Sequence, residues 1–143
     1  MKNCQKQLDL QFGSDNENKI LTTLRTFFND DSIVKTKAIN APFDFEGKKL
    51  LIELKSRRSK STAFDTTIVG ITKLKNLDPD YTDHYFVFKF TEGIYFIKYS
   101  PDIFKHYEVK SICRRDRGRI EKAPHVLIPV DNLQPLVIKE EGE

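Results

Sequence analysis

The stretch that most constrains this chain runs Pro42-Phe43-Asp44-Phe45-Glu46-Gly47-Lys48-Lys49-Leu50-Leu51-Ile52-Glu53-Leu54-Lys55. Two apolar runs flank a glycine-containing turn, the pattern of a β-hairpin. With Gly47-Lys48 as a two-residue loop, Glu46 pairs with Lys49, Phe45 with Leu50 and Asp44 with Leu51. Successive side chains point to opposite faces of a strand. One face then carries Phe43, Phe45, Leu50, Ile52 and Leu54, all apolar. The other carries Pro42, Asp44, Leu51, Glu53 and Lys55. A slip of one residue would mix the two sets, so the pattern specifies the register. Two acids and a lysine are committed to one face.

The rest of the chain supplies partners for that hairpin. A helix is expected from about Ser14 to Phe28, with Ser14 and Glu17 spaced as a capping box. Ile20, Leu21, Leu24, Phe27 and Phe28 form its apolar stripe, and Glu17 extends that stripe. The first strand is expected over Lys35–Phe45 and the second over Leu50–Lys55. A second helix is expected from Asp65 to about Leu77, with Asp65 as N-cap, Phe64 and Val69 as a hydrophobic staple, and Gly70 as a weak point. Strands Tyr85–Phe90 and Ile94–Tyr99 flank Thr91-Glu92-Gly93. A short turn or helix follows near Pro101–Tyr107, then a basic loop Cys113–Lys122 and a strand Val126–Val130. This order predicts an α/β fold with one central mixed sheet. Residues 1–138 read as a single domain and 139–143 as an acidic tail.

Composition narrows the class. The chain has 143 residues, 38% of them hydrophobic and 31% charged, and no apolar run approaches the ~20 residues of a membrane span. The first residues lack the apolar core of a signal peptide. Cys4 and Cys113 form neither a disulfide framework nor a zinc site. An intracellular protein away from membranes is therefore expected. The net charge of +3 hides two basic clusters. Residues 55–75 hold six basic residues and one acidic, and residues 110–122 hold six and two. Such clusters suit a polyanion, or are solvated faces. Arg57, Arg58 and Lys60 follow the second strand directly, Lys73 lies on the expected second helix, and Arg114, Arg115, Arg117 and Arg119 form a candidate phosphate-binding arm. The sequence has no nucleophile elbow, no Cys–His pair, no P-loop and no dinucleotide fingerprint. His84, His106 and His125 show no ligand or triad spacing.

Burying neighbouring carboxylates is costly unless something cancels their charge. A divalent cation does so, and carboxylate ligands select Mg²⁺ or Mn²⁺ over zinc. Metal, lysine and basic surroundings together suit phosphodiester hydrolysis. Asp44 followed by Glu53-Leu54-Lys55, after a helix bearing Glu17, resembles the PD-(D/E)XK nuclease superfamily. The resemblance runs from about Ser14 to Phe90. It departs from the family pattern in that Pro42 is one residue removed from Asp44. The Ile52-Glu53-Leu54-Lys55-Ser56 stretch looks most like the branch that resolves Holliday junctions.

The resemblance implies a restriction-endonuclease-like αβββαβ core with a C-terminal β extension. It implies a Mg²⁺- or Mn²⁺-dependent DNA endonuclease. Asp44, Glu53 and the Leu54 carbonyl would hold the metal, Lys55 would position the attacking water, and Glu17 would complete the catalytic set. Relatives that cut two strands symmetrically work as homodimers. Two other readings stand beside it. One is a non-catalytic nucleic-acid-binding module on the same scaffold; the other is a protein-interaction domain built on the aromatic sheet. Glu17 also reads as a capping acid, and Lys73 as a solvated helix residue.

Overall fold

The computed structural model describes residues 19–37, 43–75, 77–116 and 119–137, with the backbone alone for 114–116, 119 and 121. The elements are helix α1 (19–27), β1 (Val34–Lys35), β2 (Phe45–Glu46), β3 (Leu50–Ser56), β4 (Thr66–Gly70), α2 (Ile71–Lys75), β5 (Asp83–Lys89), β6 (Ile94–Lys98), α3 (Pro101–Phe104), β7 (Val109–Asp116), β8 (Arg119–Pro129) and β9 (Gln134–Pro135). Short 3₁₀ turns lie at Ser61–Ala63 and Val130–Asn132. The chain is an α/β protein whose main sheet, among the described residues, has six strands in the order β1-β2-β3-β5-β6-β9. Only β3 and β5 are parallel; the other neighbours are antiparallel. A second, antiparallel sheet has the order β4-β8-β7.

Two apolar clusters lie on opposite faces of the main sheet. On one face Ile20 and Leu24 of α1 pack with Phe45, Leu50, Ile52 and Val87. On the other, Leu51, Phe86 and Phe88 meet Val69, Val126 and Ile128 of the second sheet, together with Phe43 and Phe104. Strand alternation accounts for the division, since Phe86 and Phe88 point one way and Val87 the other. Helix α1 ends at Asn29, whose φ of 51° is the left-handed cap conformation. Asp30 N donates to Arg25 O at 3.0 Å and Asn29 N to Thr26 O at 3.3 Å, which closes the cap.

The hairpin turns one residue later than the sequence suggests. Phe45 faces Ile52 and Glu46 faces Leu51, and Gly47 N donates to Leu50 O at 2.9 Å. Lys48 and Lys49, both exposed, form the loop. Gly47 is needed for close approach, because a Cβ there would lie 2.5 Å from Asp30 Oδ2 and 3.0 Å from Ile33 Cγ1. Asp30 in turn accepts Lys48 N at 3.0 Å and the Ser32 hydroxyl at 2.5 Å. The Ser32 hydroxyl and the Lys48 amide hold the Asp30 carboxyl below its usual range. Gly47→Ala is expected to lower stability by about 1–3 kcal/mol, the usual range for overpacking, read from the urea midpoint. An unchanged midpoint would mean that the Asp30 carboxylate moves aside freely.

The register moves each partner by two, so the faces of Leu50, Ile52, Glu53 and Lys55 survive. Phe43 does not keep its expected face. Asp44 N donates to Ile52 O at 3.0 Å, although Ile52 is already paired with Phe45. Two residues therefore oppose one, a β-bulge, and alternation reverses across it. Phe43 lands in the cluster with Leu51 and Phe86.

Three expectations need correction. The strand expected over Lys35–Phe45 is two short strands, β1 and β2, which pair with each other through Val34↔Glu46 and Lys35↔Phe45. Residues 36–37 and 43–44 lie outside any strand, and the sequence between them holds an asparagine and a proline, residue types depleted in strand interiors. The helix expected over Asp65–Leu77 is strand β4 followed by the five-residue α2; Thr66-Thr67-Ile68-Val69 is a β-branched run, which favours a strand over a helix. Asp65 therefore caps no helix, and the sheet's second face is covered largely by another sheet. The expected loop Cys113–Lys122 belongs to the β7–β8 hairpin, and the C-terminal strands enter both sheets. Hairpin β5–β6 matches its expectation, with Phe90 N donating to Gly93 O at 2.9 Å. The tail 139–143 lies outside the described residues, and among the described residues no helix is long and apolar enough to cross a membrane.

Candidate functional site

The site is built on β3, which lies between β2 and β5. Its first four residues, Leu50 to Glu53, are all buried. Glu53 is thus a carboxylate inside an apolar layer, 6% exposed and in register with Phe86. Two ammonium groups reach it. Lys73 Nζ, from α2, lies 3.0 Å from Oε2, and Lys55 Nζ, two residues along β3, lies 3.4 Å from Oε1. Oε2 is buried and accepts no well-directed hydrogen bond among the described residues, so the Lys73 contact is mainly charge on charge. Lys73 Nζ also lies 5.7 Å from the centre of the Phe43 ring, a cation–π distance. The bulge that turns Phe43 inward thereby helps to place this lysine.

The same bulge sets Asp44. Its Oδ2 accepts the Leu54 amide at 2.8 Å, taking the position of the next ladder acceptor. Within a strand the N–H and C=O of one residue leave on the same side, so the Leu54 carbonyl also faces the β2 edge. Glu53 thus contacts Lys55 and Lys73, and Asp44 contacts Leu54, the residue between Glu53 and Lys55 on β3. Asp44 reaches Leu54 from a bulge, outside regular alternation. Glu17 and Arg117 lie outside the described residues. The backbones of Arg114, Arg115 and Arg119 run in β7 and β8, near the hairpin tip.

The lysines open into a cleft of about 360 Å³. Lys55 and Arg57 form one wall, Gly70, Thr72 and Lys73 a second, and Pro124 and His125 a third. Past the Gly70↔His125 pair, the β7–β8 hairpin continues to Asp116↔Arg119. At ~3.3 Å per residue the overhang is roughly 20 Å. Arg57 is half-buried, its Nη2 donating to Ile68 O at 3.3 Å. Burial lowers its pKa, yet an arginine stays cationic at neutral pH. Arg58 and Lys60 are exposed on the loop that follows.

His125 is the residue that sequence reasoning missed. It is buried, and its Nδ1 lies 2.7 Å from Ala123 O. A carbonyl only accepts, so Nδ1 carries a proton and donates it to Ala123 O, which leaves Nε2 as the ring nitrogen turned toward Gly70. That atom would lie 4.0 Å from a Cβ on Gly70. Its only sequence signal is a position opposite a glycine across a strand pair that spacing alone did not predict. His84 is a separate, structural case. Its ring lies 5.5 Å from that of Phe43, and Nε2 is buried without a hydrogen-bond partner among the described residues. Burial holds the His84 imidazole below its usual value. The unfolded chain therefore binds that proton more readily. This contribution to stability is complete above about pH 6.5 and is lost as pH falls through the folded-state pKa. Urea midpoints at pH 7.5 and 5 are expected to differ more in the wild type than in His84→Gln. Equal pH dependence would remove His84 from the effect.

The donor set fits a hard divalent cation. The Asp44 and Glu53 carboxylates and the Leu54 carbonyl are oxygen donors of the kind that Mg²⁺ and Mn²⁺ select, while each Glu53 oxygen also has an ammonium group within 3.4 Å. Among the described residues no three His, Cys, Asp or Glu side chains gather as a metal cage, so a cation here would use the backbone oxygen and water. No family model, curated protein or solved structure matches the chain.

Proposed function

We propose that this chain is a Mg²⁺- or Mn²⁺-dependent DNA endonuclease of the PD-(D/E)XK kind that selects its substrate by structure rather than sequence. The reading is carried by Glu53, a carboxylate buried in an apolar layer with Lys55 and Lys73 at its oxygens and Asp44 fixed one residue away. A scaffold gains nothing from such a group, since apolar residues of similar volume are often as stabilising as a buried ion pair, or more so. The order of elements supports it too. A helix, three antiparallel strands, a crossover and a strand parallel to the third follow the αβββαβ order, with β4 added to the crossover. An intracellular setting suits this substrate.

Asp44 and Glu53, with the Leu54 carbonyl, would hold the cation. Bound there, it would neutralise phosphate charge and acidify water. Lys55, in one wall of the cleft, orients the attacking water through its ammonium hydrogens. Lys73 balances Glu53 and faces the phosphate from above. His125 lines the opposite wall. Arg57, Arg58, Lys60 and the β7–β8 arginines supply phosphate contacts, which give salt-dependent affinity without sequence information.

One observation favours the non-catalytic binding module. Both Glu53 oxygens already face an ammonium group, so its charge is compensated without a cation. Mn²⁺ titration in the presence of uncleavable phosphorothioate DNA separates the two readings. Binding at least tenfold weaker in Glu53→Gln and in Asp44→Asn supports the nuclease. Equal binding in wild type and both variants removes these acids from metal holding.

A further inference from the structure

We infer that the apolar cavity beside the lysine cleft receives one unpaired nucleobase, stacked on Phe64. The inference rests on the nucleic-acid reading above and adds what the substrate must present next to the cut. The cavity measures about 360 Å³, within the range of ligand sites. Phe64, Phe90, Ile112, Leu127 and Val130 give it apolar walls, and Arg57, Ser59 and Lys60 also line it. Arg57, Ile68 and Ile112 line the lysine cleft as well, so the two hollows share a wall. Arg57 stands in that wall, its guanidinium carbon 6.0 Å from the centre of the Phe88 ring. A nucleotide strand has this alternation of parts, a phosphate between a reacting phosphodiester and a flat ring.

Phe64 is 71% exposed, which a packing role does not explain. Its segment is nonetheless anchored on both sides. Ser61 donates its amide and hydroxyl to Glu92 at 2.8 and 2.7 Å, and Val130 N donates to Asp65 O at 2.9 Å. Thr91 N donates to Ser59 O at 3.1 Å. An exposed ring on a pinned segment loses little freedom on binding, and every base offers a face to stack on it. Charge decides between a base and an uncharged apolar ligand. Residues 55–75, which include Arg57, Lys60 and Phe64, carry a net +5 from six basic residues and one acidic, so the ring lies where a polyanion is drawn.

The test is DNA binding in EDTA, where cleavage does not intervene. Blunt duplex is compared with the same duplex carrying a single-stranded extension that contains 2-aminopurine. Wild type is expected to bind the extended DNA about tenfold tighter and to quench the probe, the effect of one base–aromatic stack. Phe64→Ala is expected to reduce that preference to near unity, and Phe64→Tyr to retain it. Equal affinity of wild type for the two DNAs overturns the inference, as does a preference that survives in Phe64→Ala. Absence of binding to either DNA overturns the nucleic-acid reading together with it.

Discussion

Lys55→Met is expected to lower the DNA-cleavage rate by about 10²–10⁴-fold, the usual contribution of a positioned proton-handling group. Its ammonium is the one on β3 that both touches Glu53, at 3.4 Å, and lines the cleft. Folding should survive the change. Lys73 remains 3.0 Å from the other carboxylate oxygen, so the buried charge keeps a partner, and the methionine stem fills the same space. The expected loss of stability is therefore below about 1 kcal/mol, the scale of a partly exposed ion pair. Turnover and the urea midpoint, measured on one preparation, separate the two effects. Turnover within threefold of wild type would remove Lys55 from the chemistry. A large fall in the midpoint would make the lysine structural.

Phe86→Ala is expected to lower stability by about 3–5 kcal/mol, the range for removing a buried aromatic ring. Phe86 has no exposed surface. Its ring lies 6.1 Å from that of Phe43 and 6.3 Å from that of Phe104, so one residue packs against both the bulge before β2 and α3. It also faces Glu53 across the parallel β3–β5 pair. Against a total of about 5–15 kcal/mol this is a large share, and the melting temperature should fall by about 10 °C or more. Urea unfolding with an unchanged slope would assign the loss to the native packing. A loss below about 1 kcal/mol would mean that the layer around Glu53 is not packed as described.

The parts of the fold legible in the sequence are short apolar runs bounded by turn residues. Leu50 to Lys55 and Tyr85 to Phe90 are such runs, and both belong to strands of the main sheet. The glycine in the hairpin was readable, but its reason was not. Turn preference suggested that Gly47 sits in the loop, whereas contact with Asp30 and Ile33, distant in sequence, places it in the ladder. The β4–α2 segment misled because Ile68, Ile71 and Leu74 have helical spacing. The β-branched run Thr66–Val69 carried the competing signal, and pairing with Leu127 and Ile128 decided in its favour.

Part of the geometry around Glu53 follows from spacing alone. Glu53 and Lys55 are two apart on one strand, so any register keeps them on one face. The contact of Lys73 with Glu53 was not legible, because it depends on how α2 follows β4. The bulge at Asp44 was hidden, since a bulge is a property of pairing and leaves no mark in composition. His125 was hidden for the same reason.

The most direct measurement is incubation of the full chain with labelled linear duplex, single-stranded, flap and four-way-junction DNA, each with Mg²⁺, Mn²⁺ or EDTA, beside Glu53→Ala. The account predicts cleavage of a branched or extended substrate with either metal, none in EDTA and none by the variant. Cleavage that persists in EDTA or in Glu53→Ala would contradict it. So would failure to cut any of the four DNAs while still binding them.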